Sequence, residues 1–179
     1  MEQIRIHGRG GQGVVTAAEL IALAAFYEGK YAQAFPHFGV ERTGAPIQSF
    51  ARIDNKEIIT REQIYKPSVL IIQDNTLLSN KNIFQGVDKN TRIIINASAE
   101  KQQEFKLGNK NVYYTDATDI ALKTIGKNLV NTVILGAFAK YTKLVSLDSL
   151  KRAIEEKFKE KPRNIVQKNI KAIEQAYEN

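Results

Sequence analysis

The sequence has no cysteine and only two histidines among its 179 residues. Without cysteine the chain cannot form disulfides, use a catalytic thiolate, or hold a zinc–thiolate site or a cysteine-ligated iron–sulfur cluster. The histidines, His7 and His37, lie 30 positions apart, which gives little support for a histidine-based metal site. We therefore expect no metal ligands here, and any electron carrier would lie on another chain.

Long hydrophobic runs are also missing, since none approaches the roughly 18 residues that span a bilayer. The N-terminus begins at once with a strand-like segment, which predicts that no signal peptide precedes the fold and that the protein is cytoplasmic. Hydrophobic residues make up 43% and charged residues 25%, as in globular proteins. The length of 179 residues fits a single domain, which we assign to residues 1–179.

The net charge of +7 is unevenly distributed. Residues 1–100 carry 11 basic and 10 acidic groups, whereas residues 101–179 carry 15 and 9. A basic surplus can indicate nucleic-acid binding. Here basic residues alternate with glutamates along the C-terminal helices, as on a solvated helix surface, and we favour that interpretation over a nucleic-acid or membrane partner.

Strand-like and helix-like segments alternate along the chain, which predicts a three-layer α/β fold. Strands are expected at 3–7, 31–35, 69–72, 92–95 and 112–114, and helices at 12–28, 116–126, 129–142, 147–160 and 164–177. Residues 47–53 and 57–60 flank the turn-rich residues 54–56, which predicts a β-hairpin. The sheet should therefore be mixed but mostly parallel, with a helical C-terminal portion.

A glycine-rich turn follows the first strand and precedes the first helix. Its sequence fits the pattern G-x-G-x-x-G and consists of Gly8, Arg9, Gly10, Gly11, Gln12 and Gly13. Glycines permit positive φ and close backbone approach, and the first N–H groups of the helix face such a loop. The turn can therefore hold a phosphate, another anion or a partner's backbone, or it can simply allow tight packing.

A dinucleotide-binding enzyme should also carry an acidic residue at the end of its second strand. Residues 30–36 contain none, and Glu41 lies beyond Pro36 in a different segment. This weakens the interpretation as an NAD site.

The segment from Phe35 to Pro46 is too rich in glycine and proline for a helix and too aromatic for an idle surface loop. Such a loop is usually held in one shape for recognition, although it could instead be a buried loop packed on its own aromatics. Arg42 could bind a carboxylate or phosphate with both guanidinium nitrogens, or pair with Glu41. We assign this loop to a partner interface or substrate channel, on the basis of Phe35, Pro36, Phe38, Glu41, Arg42, Gly44 and Pro46.

Together, the glycine turn and this loop closely resemble the gamma subunit of 2-oxoacid:ferredoxin oxidoreductases. The later Asn131-x-x-x-Leu135-Gly136-Ala137 resembles that family's helix signature, so the resemblance covers nearly the whole chain. It implies a Rossmann-like domain in a cytoplasmic enzyme that converts a 2-oxoacid, coenzyme A and oxidised ferredoxin into acyl-CoA, carbon dioxide and reduced ferredoxin.

The resemblance further implies that thiamine diphosphate and the iron–sulfur clusters are held by alpha, beta and in some cases delta subunits. This chain would contribute structure and part of the coenzyme A or substrate entrance, with no catalytic residue, and would be inactive alone. Two alternatives remain open: the corresponding part of an indolepyruvate oxidoreductase, and a stand-alone Rossmann-like nucleotide-binding protein.

Arg42→Ala separates the two roles of this arginine. If Arg42 serves the complex, the melting temperature of the isolated subunit should be nearly unchanged, while assembly weakens or the apparent Michaelis constant for coenzyme A rises. If it pairs internally with Glu41, the isolated subunit should melt earlier. We expect the first result, and unchanged assembly with unchanged coenzyme A kinetics would contradict a functional loop.

Overall fold

A computed structural model of the chain contains a mixed six-stranded sheet covered mainly by helices on one face. The structure describes residues 1–37, 43–103 and 111–179. The strands are β1 (Glu2–Arg9), β2 (Tyr31–Pro36), β3 (Pro46–Asp54), β4 (Val69–Ile72), β5 (Arg92–Asn96) and β6 (Val112–Thr115).

The α-helices of the described ranges include five of more than two turns and one of a single turn. They are α1 (Val14–Tyr27), α2 (Ala99–Gln102), α3 (Ala117–Thr124), α4 (Val130–Thr142), α5 (Leu147–Lys157) and α6 (Arg163–Glu178). Two 3₁₀ helices, Asn75–Ser79 and Lys81–Phe84, lie between β4 and β5. Within these same ranges, no helix combines the length and the apolar composition that a membrane span requires.

The order of the strands across the sheet is β2-β3-β1-β4-β5-β6. The pairs β1–β4, β4–β5 and β5–β6 are parallel, whereas β3 is antiparallel to both of its neighbours, β1 and β2. The prediction of a mixed, mostly parallel sheet in an α/β fold is thus confirmed.

The predicted β-hairpin between residues 47–53 and 57–60 is wrong. Strand β3 pairs instead with β2 on one edge and β1 on the other, so neither edge is available to the segment that follows it. Residues 57–60 form no strand and cross the sheet surface, where the Ile58 carbonyl accepts a hydrogen bond from Gln33. The alternating pattern of β3 was correctly identified, but its partners lie earlier in the chain.

The larger core lies between the sheet and the helices α1, α3, α4, α5 and α6. Alternate residues of β1, Ile4 and Ile6, point to this side and are fully buried with the apolar residues of α1. Helix α1 is apolar around most of its circumference because it is enclosed by the sheet and by other helices. It ends before Gly29, whose φ of 73° fits the predicted helix stop.

The opposite face of the sheet is covered by 3₁₀ helices and irregular chain rather than by long helices. A smaller apolar cluster packs β4 and β5 against these segments. Over β1 and β3, two buried arginines bind the covering chain. Arg52 donates to the carbonyls of Thr60 and Glu62, and Arg5 donates to those of Ile64, Tyr65, Ile83 and Gln85.

A carboxylate connects the end of α1 to the start of α5. Glu28 accepts hydrogen bonds from the backbone N–H of Ser146 at 2.6 Å and the hydroxyl of Ser149 at 2.7 Å, and it pairs with Lys30 at 2.8 Å. Burial raises the pKa of Glu28, but the bonds from Lys30, Ser146 and Ser149 outweigh burial and lower the pKa to about 2. The native state therefore favours the ionised form of Glu28.

The stability that Glu28 contributes should be lost in acid. Because the pKa of Glu28 is about 2 in the fold and 4.5 in an unperturbed glutamate, the contribution is complete above pH 4.5 and disappears as the pH falls to 2. Glu28→Gln should lower the free energy of unfolding by on the order of 1–3 kcal/mol at neutral pH, and the difference from wild type should shrink below pH 4.5. Urea denaturation across this pH range measures the difference in unfolding free energy, and Glu155→Gln, at an exposed position, is the control. A difference that does not change with pH would contradict a stabilising role of the ionised Glu28 carboxylate.

Candidate functional site

The glycine turn joins β1 to α1 through two residues in the left-handed region. Gly11 has a φ of 91° and Gly13 a φ of 69°, and the backbone N–H of Gln12 donates to the Arg9 carbonyl at 3.0 Å. Gly13 is the N-cap of α1, and its carbonyl accepts the first bond of the helix, from Ala17. The two glycines allow the chain to reverse direction between strand and helix.

The glycines of the turn have different roles. A Cβ atom at Gly8 would lie 2.6 Å from a Val14 methyl, and one at Gly13 would lie 2.5 Å from the Asn131 side-chain nitrogen, so both positions require close packing. A Cβ atom at Gly11 would meet nothing within 4 Å. The tight-packing interpretation therefore accounts for Gly8 and Gly13, while the space beside Gly11 is open to a ligand.

Among the residues that the structure describes, no side chain caps the N-terminus of α1. The first turn of the helix also contains no acidic residue. The first N–H groups of a helix lack intrahelical acceptors, and the helix dipole places a partial positive charge there. This end of α1 is consequently suited to an anion.

Arg9 and Gln12 bind the turn to the segment that follows β4. Arg9 pairs with Asp74 at 3.2 Å and donates to the Thr76 hydroxyl at 2.8 Å, and the Gln12 amide donates to the same Asp74 carboxylate at 2.9 Å. Burial raises the pKa of Asp74, but the bonds from Thr76 and Gln12 outweigh it and the pKa is lowered. The Arg9 charge is therefore offset by Asp74.

The structure brings the glycine turn and the C-terminal end of the 35–46 loop together. The backbone N–H of Gly10 donates to the Ala45 carbonyl at 2.9 Å, and the N–H of Gly44 donates to the Gly10 carbonyl at 3.0 Å. Arg9 also donates to the Gly44 carbonyl at 3.0 Å. Two motifs more than 30 residues apart in sequence thus form one region of the molecule.

The loop residues assigned to the interface are placed only in part. Phe38, Glu41 and Arg42 lie outside the described residues. Phe35 and Pro36 belong to β2, and the Phe35 ring packs on Phe50 with a centroid distance of 5.1 Å. Gly44 has a φ of 80° and precedes β3, which begins at Pro46.

Two residues of the helix signature, Asn131 and Gly136, lie where other parts of the chain pack closely against α4. The Asn131 side chain lies directly against Gly13, so the start of α4 adjoins the glycine turn. Gly136, further along α4, allows α6 to pack closely, because a Cβ atom there would lie 2.2 Å from the Ile173 carbonyl oxygen.

A small polar cavity of about 160 Å³ lies beside the turn, at the carboxyl ends of β4 and β5. The Gln73 side chain is 1% exposed, and its amide nitrogen and oxygen both lack hydrogen-bond partners in the described part of the chain. The walls are mostly amides, with one hydroxyl and one carboxylate: Gln12, Gln73, Asp74, Asn75, Asn96, Thr118 and Asn128, with Val130. Of these residues, only Gln12 is assigned to a site from the sequence. For Gln73, Asp74 and Asn96 the one signal is their position at or just after the end of a buried strand.

In residues 1–37, 43–103 and 111–179, no three His, Cys, Asp or Glu side chains lie close enough together to bind a metal ion.

Comparison with known proteins assigns this arrangement to a class of oxidoreductase subunits. The family model described as pyruvate ferredoxin/flavodoxin oxidoreductase matches residues 3–179. The chain is 51% identical over 177 residues to the pyruvate synthase subunit PorC of Methanocaldococcus jannaschii, covering 99% of this chain and 96% of that protein. It is 45% identical over 181 residues to the common gamma subunit of the pyruvate/ketoisovalerate oxidoreductases of Pyrococcus furiosus, with coverage of 99% and 96%.

The fold of the chain also matches that of a solved structure from this class of subunits. The crystal structure of the pyruvate oxidoreductase subunit PORC from Thermotoga maritima superposes with a TM-score of 0.84 at 36% identity, covering 99% of this chain and 96% of that one. The chain therefore belongs to the pyruvate ferredoxin/flavodoxin oxidoreductase family, as a gamma subunit of a 2-oxoacid:ferredoxin oxidoreductase.

Alanine substitutions should distinguish the two left-handed glycines. Gly11→Ala introduces only backbone strain and should cost about 1–2 kcal/mol of unfolding free energy. Gly13→Ala adds overlap with Asn131 to the same strain and should cost about 2–4 kcal/mol. Urea denaturation measures both. Equal losses would contradict the close contact between Gly13 and α4, and Gly13→Ala combined with Asn131→Ala should recover part of the loss.

Proposed function

We propose that the glycine turn and the N-terminus of α1 bind an anionic part of coenzyme A in the assembled enzyme. The observation that carries this proposal is the uncapped helix N-terminus beside the open space at Gly11. Coenzyme A carries phosphate groups, and backbone N–H groups at a helix start bind phosphate without a cationic side chain.

The charges around the turn favour binding by the backbone. Arg9 is paired with Asp74, so it contributes little free positive charge. The Asp74 carboxylate also lines the polar cavity and would repel a phosphate placed inside it. We therefore assign the phosphate to the helix N-terminus at Gly11 and Gly13. The amide-lined cavity suits uncharged hydrogen-bonding groups of the same ligand, for which the unpartnered Gln73 amide offers both a donor and an acceptor.

A dinucleotide is a poorer candidate for the same turn. In a dinucleotide-binding domain the acidic residue that holds the ribose ends the second strand, which pairs directly with the first. Here β3 lies between β1 and β2, and β2 ends in Phe35 and Pro36 without an acid. The second strand thus brings no ribose ligand to the turn.

The loop between β2 and β3 adjoins this site and is proposed to face a partner subunit. Its described residues Gly44 and Ala45 bond to Gly10, so a partner that contacts the loop would also approach the bound ligand. We propose, as the family resemblance implies, that alpha, beta and in some cases delta subunits hold the thiamine diphosphate and the iron–sulfur clusters. The absence of cysteine from this chain agrees with the placement of the clusters on those subunits.

Thr16→Asp tests the anion site separately from fold stability. Thr16 lies in the first turn of α1, where a negative charge interacts favourably with the helix dipole, so the melting temperature should stay the same or rise. The same charge should repel the phosphate and raise the apparent Michaelis constant for coenzyme A about tenfold in the reconstituted complex.

Thr16→Asn is the matched control, because it is nearly the same size as aspartate and carries no charge. It should leave the Michaelis constant close to that of wild type, and the constant for the 2-oxoacid should not change in either variant. Equal coenzyme A constants for the Asp and Asn variants would contradict an anion at this helix end.

A further inference from the structure

A second cleft, of about 430 Å³, lies on the sheet face opposite α1. Its volume falls within the range of small-molecule sites. Arg5 and His7 alternate along β1 with Ile4 and Ile6, so they point away from the α1 core and into the cleft. The other walls come from β3, from residues 63–65 and from the 3₁₀ region at 80–85.

Strand pairing places both histidines of the chain in this cleft. His7 lies directly opposite Gln48 in the β1–β3 register, and the backbone N–H of His37 donates to the Gln48 carbonyl at 3.1 Å. His7 on β1, Gln48 on β3 and His37, the residue that follows β2, therefore form a row across this edge of the sheet. Arg5 and Phe50 form the next row on the same face, and the His37 and Phe50 rings lie 6.2 Å apart.

The floor of the cleft carries a positive charge that no carboxylate of the described residues neutralises. Arg5 is 5% exposed, and its two terminal guanidinium nitrogens donate to carbonyl oxygens, which satisfy those donors without cancelling the charge. Burial lowers the pKa of Arg5, yet a guanidinium stays protonated in proteins. In the described part of the chain no carboxylate pairs with Arg5, and none of the residues that line the cleft is acidic.

Two nitrogen atoms at the floor have no partner. The Nε atom of Arg5 and the Nε2 atom of His7 are both buried and make no hydrogen bond within the described residues. Burial first, and the Arg5 charge second, lower the pKa of His7 to about 3, so the imidazole is neutral and Arg5 supplies the charge. Buried polar nitrogens of this kind are normally satisfied in folded proteins. A ligand that supplies an acceptor would satisfy the Arg5 N–H, and also the His7 Nε2 in the tautomer that carries the proton on that nitrogen.

We propose that this cleft binds a small organic carboxylate, with the carboxylate group at Arg5 and His7. The apolar part of the ligand packs against Phe50 and Ile47, and the amides of Gln48, Gln63 and Asn82 surround it. A carboxylate supplies the negative charge and the acceptor oxygens that the floor lacks. This inference does not depend on coenzyme A binding at the glycine turn, which is a separate region.

The two histidines provide a direct probe, since the chain contains no others. The full chain is labelled with ¹⁵N-histidine, and His37→Gln assigns the two imidazole signals. Titration with phenylacetate should shift the His7 signals saturably, with smaller shifts at His37. Phenylacetamide, which has the same shape without the charge, should bind at least about tenfold more weakly. No saturable shift at His7, or equal binding of both probes, would overturn the proposal.

Gln48→Glu places a carboxylate opposite His7 and should weaken phenylacetate binding about tenfold or more, because it repels the ligand and competes for Arg5. The control is Gln167→Glu, the same change at an exposed position of α6, which should leave binding unchanged. Equal affinity of the two variants would count against the site.

If Gln48→Glu disturbs the fold, Gln48→Lys keeps the test decisive, since an added positive charge should maintain or tighten phenylacetate binding. Weaker binding to a folded Gln48→Lys variant would contradict the proposal. The titration is repeated on the complex assembled with its partner subunits. A response that persists there supports a free acid as the ligand, and a response lost on assembly would overturn that assignment.

Discussion

Strand β3 lies antiparallel between β1 and β2, and this pairing sets the arrangement of the functional regions. It returns the chain to the end of β1, where residues 44 and 45 bond to Gly10 and bring the 35–46 loop against the glycine turn. It also separates β2 from β1, so the end of β2 lies away from the turn and cannot hold a ribose as in dinucleotide-binding proteins. The same register aligns His7, Gln48 and His37 on the opposite face.

The two faces of the sheet are covered by different kinds of chain segment, which are held by different interactions. On the α1 side, apolar side chains interlock with helices and leave the core fully buried. On the other side, Arg5 and Arg52 bind irregular chain through carbonyl oxygens. Burying an unpaired charge is costly, and carbonyl dipoles reduce that cost without removing the charge. This face therefore retains a positive potential at a cleft, whereas the turn at the end of β1 relies on backbone N–H groups.

The position of the turn also explains why the helix signature is far from it in sequence. Asn131 contacts the Gly13 position directly, and Gly136 lets α6 approach α4. A larger residue at either glycine would displace the start of α4 or its packing on α6. The turn, α4 and α6 consequently form one packed unit. This packing holds the N-terminus of α1 in a fixed position relative to β4 and the polar cavity.

Local patterns in the sequence determined the strands β1, β4 and β5, the helices α1, α4, α5 and α6, and the conformation of the glycine turn. These features depend on periodicity, on caps such as Ser146 and on glycines that adopt positive φ, all of which act within a few residues. The resemblance to gamma subunits likewise rested on contiguous motifs. The tertiary structure alone decided the partners of β3, the pairing of Arg9 with Asp74, the polar cavity around Gln73, and the meeting of the two histidines. Each of these depends on strand order and register, which bring together residues distant in sequence and which no local pattern encodes.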